Sequence, residues 1–81
     1  MTHASHPDIV KRLKRVEGHL RKVVAMIEDG RPCVDLAQQL HAVEAAVTSA
    51  KRELIHDHIE HCLRDGEAAD LKELKQLARY L

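Results

Sequence analysis

Between Gly30 and the Asp65-Gly66 pair the chain runs without a glycine and with one proline, Pro32, at its very start. The residues from Pro32 to Arg64 are mostly good helix formers, so the stretch reads as one long α-helix opened by Pro32, a residue the first turn tolerates. At a rise of about 1.5 Å per residue it spans roughly 50 Å. Whatever this chain folds into must be arranged around that rod.

Both cysteines lie on it, near opposite ends. Cys33 and Cys62 are 29 positions apart, which at about 100° per residue is about eight turns plus 20°. His58 is 25 positions from Cys33, about seven turns minus 20°. The three share a stripe about 40° wide, whereas His61 and His41 fall about 80° to either side of Cys33 and His56 nearly opposite. His58 and Cys62 are at i and i+4, a spacing from which a helix can grip a metal on one side. Cys33, in the first turn, sits where free N–H groups and the dipole favour a thiolate. Yet roughly 43 Å separates Cys33 from Cys62 along the axis. Two copies packed antiparallel, crossing near residues 45–48, would set each Cys33 against the other copy's His58 and Cys62. Val43, Ala46, Val47 and Ala50 are small enough for close helix contact there.

The flanking segments read as helices too. Ser5, Pro7 and Asp8 look like a helix start of the capping-box type, with residues 1–6 as a flexible arm. From Pro7 to Asp29 apolar residues fall at Ile9, Leu13, Val16, Leu20, Val23 and Ile27, a 4-3-4-3-4 seam, with Gly30 closing the helix. Gly18 within it costs about 1 kcal/mol against Ala and marks a close backbone approach. The long helix repeats the seam at Leu36, Leu40, Val43, Val47, Ala50 and Leu54, with a second row at Ile55, Ile59 and Leu63. A third helix runs from about Glu67 to Leu81 through Leu71, Leu74 and Leu77. The expected fold is all-α: one domain over residues 1–81, with three helices per chain. Tyr80 is the only aromatic residue, so the core is aliphatic and short of burial, and oligomerisation is the expected remedy. No apolar run is long enough to span a membrane and no signal-peptide core is visible, so a cytoplasmic protein is expected. In that compartment two cysteines read as metal ligands or redox thiols rather than as a structural disulfide.

Lys and Arg together number 13, as do Asp and Glu, but the charges are not evenly spread. Lys11, Arg12, Lys14, Arg15, Arg21 and Lys22 face Glu17 alone within residues 11–22, and Lys51 with Arg52 adds a patch midway along the long helix. A solvated helix face explains such charge as readily as DNA does. Repeated by symmetry in an oligomer, it becomes a surface suited to phosphates. No helix-turn-helix signature is visible, and no catalytic constellation: Ser49 has no base nearby, and an enzyme is not expected.

Two thiolates and one imidazole make a soft set suited to Cu(I). Ni(II), Co(II) or Zn(II) would need a further ligand, which His61, His3 or His6 could supply. The segment PCVDLAQQLHAVEAAVTSAKRELIHDHIEHCL, with RLKRVEGHL before it, resembles the copper-sensing operon repressor (CsoR) family, most specifically in the Cys-x24-His-x3-Cys pattern of Cys33, His58 and Cys62. The resemblance implies an antiparallel four-helix-bundle dimer built on the long helix and a dimer of dimers. It further implies a repressor that binds operator DNA without metal and releases it, derepressing metal efflux genes, when the intersubunit site fills. It also implies Arg12, Lys14 and Arg52 as DNA contacts, to which the charge pattern adds Arg15 and Lys51, and Glu73 as an outer hydrogen-bond partner of His58. Pro32 stands where some copper-type relatives have Tyr, and Ser49 where some have Arg. Nickel/cobalt members typically carry His in place of Cys62, although a nickel site that keeps Cys-His-Cys and adds His3 or His6 stays open. Formaldehyde sensors pair the first cysteine with a proline where this chain has Thr2, and persulfide sensors lack the His. Outside the family, a helical oligomer with a structural zinc site and no DNA role is the remaining alternative.

Overall fold

The order is α1 (Pro7–Glu28), α2 (Cys33–Arg64) and α3 (Leu71–Ala78), with no strand among the described residues. The structure, a computed structural model, describes residues 6–64 and 71–81, with the backbone alone for 62–64. The expected third-helix start at Glu67, the Asp65-Gly66 break and His3 lie outside the described residues.

α1 begins one residue away from the expected capping pattern. His6 is the N-cap, no side chain caps the first turn, and Ser5 lies outside the described residues. The start rests instead on Pro7 in the first turn, whose missing N–H leaves one donor fewer to satisfy, and on Asp8 near the positive dipole end. The His6 carbonyl accepts the first helical bond from Val10 N–H at 2.9 Å. At the other end Gly30 has φ 73°. Its N–H donates to the Ile27 carbonyl and that of Arg31 to the Met26 carbonyl, both at 3.1 Å. This is a Schellman closure, and it needs the left-handed residue that glycine supplies. α2 follows almost at once. Its first helical residue is Cys33, not Pro32. Pro32 lies just outside, where its carbonyl accepts from Leu36 N–H at 3.1 Å.

α1 folds back on α2 as an antiparallel hairpin. Alternate members of the two seams meet: Ile9, Val23, Val43 and Ala50 are buried. The intervening members, Leu13, Leu20 and Ile27 on α1 with Leu40, Val47 and Leu54 on α2, remain 40 to 52 % exposed. One subunit thus closes half of each seam. Polar contacts run along the hairpin's other edge. His19 Nε2 is 2.6 Å from Gln39 Oε1, Arg12 donates to the Glu53 carboxylate and, at 3.1 Å, to Ser49 Oγ, and His6 Nδ1 lies 3.6 Å from Asp57 Oδ2. Gly18 does not fit its expected role within the chain. Among the described residues a Cβ added there would meet nothing within 4 Å, so neither α2 nor α3 approaches it.

α3 ends at Ala78 rather than Leu81. The N–H groups of Arg79, Tyr80 and Leu81 bond three residues back, to Gln76, Leu77 and Ala78, so the α-pattern tightens into turns. Ile55 is buried at 3 % exposure although it points about 140° around α2 from Ala50. It lies toward the side on which Glu73 of α3 meets His58. Among the described residues no helix is long and apolar enough to cross a membrane.

Candidate metal centre and nucleic-acid surface

α2 is unbroken from Cys33 to Arg64, so Cys33 and His58 stand about 37 Å apart along its axis. Among the described residues no group of three or more metal-ligating side chains comes together. Of the donors the sequence singled out, the Cys33 thiol is free and exposed at the first turn. His58 is half-buried near the other end, with its Nε2 2.8 Å from Glu73 Oε1. The Cys62 backbone continues the same helix one turn on, its side chain lying outside the described residues. His6 caps α1 beside Asp57, and half-buried His61 is one turn beyond Asp57. A single subunit therefore carries the candidate ligands on one rod, with Cys33 and His58 far apart.

The donor chemistry nevertheless fits a metal. With Nε2–H donating to the Glu73 carboxylate, a neutral His58 imidazole carries its lone pair at Nδ1. A carboxylate on the far nitrogen also orients the ring, an arrangement common behind metal-binding histidines. Position around α2 adds a second observation. Counted at about 100° per residue, the exposed Leu40, Val47 and Leu54 fall within about 60° of Cys33, on the flank of the stripe that also carries His58. The open half of the seam and the candidate ligands thus face the same way.

The charged residues divide into two groups. Arg12 is turned toward α2, held by Glu53 and Ser49. Lys11, Lys14, Arg15, Arg21 and Lys22 on α1 and Lys51 and Arg52 on α2 are exposed, and none of them makes an ion pair among the described residues. The Arg12–Glu53–Ser49 contact was not foreseen. Ser49 and Glu53 are one turn apart on α2, a signal visible only once the hairpin register is known.

Comparison with known proteins is consistent with this arrangement. Residues 5–80 match the metal-sensitive transcriptional repressor family. The copper-sensing transcriptional repressor CsoR of Bacillus subtilis (strain 168) is 44 % identical over 58 residues, which cover 72 % of this chain and 57 % of that protein. The copper-sensing transcriptional repressor RicR of Mycobacterium tuberculosis (strain H37Rv) is 42 % identical over 53 residues, covering 65 % of this chain and 55 % of that one. The chain thus spans little more than half the length of these curated relatives, which are transcriptional repressors and not enzymes. Among solved structures, the nickel-responsive transcriptional regulator InrS superposes with a TM-score of 0.82 at 33 % identity, over 100 % of this chain and 98 % of that one. The copper-sensing repressor CsoR with Cu(I) from Geobacillus thermodenitrificans NG80-2 gives the same score and identity over 98 % and 91 %. With the match running through all three helices, the chain belongs to the metal-sensitive transcriptional repressor family.

Proposed function

We propose that this protein is a Cu(I)-responsive repressor that holds operator DNA in its metal-free state and releases it when Cys33 of one copy and His58 and Cys62 of another bind the ion together. The observation that carries the reading is the shared direction of the exposed Leu40–Val47–Leu54 row and the Cys33–His58 stripe. A second copy that covers the row is brought against the ligands. An antiparallel arrangement that sets Cys33 against Cys62 pairs positions whose numbers sum to 95, and Glu44 then faces Lys51 of the other copy. Both are exposed and lie within about 20° of Cys33 around the helix. The soft Cys-His-Cys set favours Cu(I), and similarity to copper-sensing repressors supports the same choice. The DNA surface on this reading is made by the exposed cations of α1 with Arg52, while Arg12 braces the hairpin behind them. A dimer of dimers would array these patches along a duplex.

Metal and DNA act on each other through the oligomer: each favours a different arrangement, so each weakens the other's binding by the same factor. A coupling of about 3 kcal/mol corresponds to roughly a 150-fold loss of DNA affinity. Anaerobic Cu(I) titration of the protein bound to its own promoter DNA is expected to show a loss of that order. Unchanged affinity at saturating Cu(I) removes the copper reading. A nickel-responsive variant has one observation in its favour. His6 reaches Asp57, beside His58, so the N-terminal arm starts near that end of the site. Ni(II) in the same assay, with and without His3 and His6, decides between them.

A further inference from the structure

Gly18 stands in the middle of α1, the costliest place in a helix for a glycine, and none of the described residues outside its own helix turn comes within 4 Å of where its Cβ would be. Internal packing therefore does not account for it. Its surroundings on the helix are specific. At about 100° per residue, Lys11, Lys14, Arg15, Arg21 and Lys22 all project within about 60° of the Gly18 direction, whereas Arg12 is about 120° away and is taken up by Glu53. All five are exposed and without an ion pair among the described residues. Among the described residues, the glycine is a bare spot ringed by five cations that make no ion pair.

We propose that Gly18 is the point of closest approach between α1 and the sugar-phosphate backbone of DNA, the missing side chain letting the surrounding Lys and Arg residues close around the phosphates. This rests on the DNA-binding reading above and adds the contact point to it. Charge selects the occupant. A second copy presenting the same cationic face would be repelled, while a polyanion gains from every one of the five. A helix surface with its side chains stands well off its axis, so a side chain at position 18 would hold the ridge of phosphates away from the bases of its neighbours. Without one, the long flexible stems can fold down either side of it.

The test uses metal-free full-length protein and a fluorescein-labelled mixed-sequence DNA duplex, since phosphate contacts do not depend on sequence. Gly18→Ala is expected to raise Tm by a few degrees through helix propensity while weakening duplex binding severalfold, and Gly18→Leu to weaken it further. Lys14→Gln with Arg15→Gln serves as the control that reports phosphate binding on this face and lowers the salt slope. If both Gly18 variants are as stable as the parent or more so and bind as tightly, while the cation variant binds weakly, the proposal is overturned and the DNA-binding reading survives. Loss of stability or a changed oligomer in Gly18→Ala would mean that protein packs there, and also overturns it. If the parent protein fails to bind the duplex at low salt, the DNA-binding reading falls and this contact with it.

Discussion

At the scale of single residues, the contact between His58 and Glu73 is the one that turns a pattern into chemistry. A histidine on a helix face is often a packing residue rather than a ligand, but one whose Nε2 is 2.8 Å from a carboxylate has its ring direction set. Glu73→Gln retains the shape and loses the charge. It is expected to lower Cu(I) affinity about 10- to 100-fold with the helical circular dichroism unchanged, as read by competition with a Cu(I) chelator. The candidate ligands Cys33, His58 and Cys62 were legible because they share one helix, where spacing translates directly into direction. Glu73 was legible only by resemblance, since it reaches His58 from another helix across a segment that has no periodicity to follow. Arg12 illustrates the converse. Neither its basic neighbours nor the resemblance signalled that it donates to the Glu53 carboxylate and the Ser49 hydroxyl, both on α2.

Among the elements, the two long helices were readable almost to the residue because apolar seams, Pro7 and Gly30 mark them. The observed spans Pro7–Glu28 and Cys33–Arg64 differ from the expected ones by one residue each. The short α3 was less readable: its leucine spacing persists to Leu81 while the helix itself stops at Ala78. Apolar periodicity also cannot tell which half of a seam meets its own chain and which half stays open. The hairpin depends on the turn after α1. Gly30→Ala puts a Cβ into a backbone with φ 73°, at a cost of about 1–2 kcal/mol. Tm is therefore expected to fall by several degrees in a thermal melt, for a domain of this size. Gly18 is expected to give the opposite sign under the same measurement, because its backbone is ordinary helix and none of the described residues fills the space beside it.

For the whole molecule, the proposed function turns on how two copies would be aligned. Exposed ion pairs contribute little to affinity, about 0.2–1 kcal/mol each, but repulsion at the same positions can select a register. On the proposed alignment Lys51→Glu places acids opposite acids twice over and is expected to weaken the dimer by a few-fold to tenfold. The double exchange Glu44→Lys with Lys51→Glu is expected to restore it, as read by sedimentation equilibrium. No recovery in the double variant would point to a different register, one in which Cys33 and Cys62 do not meet.

The half-open seam has a thermodynamic corollary. On the proposed function, a subunit that leaves Leu13, Leu20, Ile27, Leu40, Val47 and Leu54 partly in water while its candidate donors Cys33 and His58 stand tens of ångströms apart would make dimerisation and ion capture two faces of one equilibrium. Whatever factor pairing adds to the grip on the ion, the ion returns to the pairing. On that reading the protein in dilute solution would release its metal and lose its partner together, and its sensing threshold would be set partly by how many copies the cell keeps.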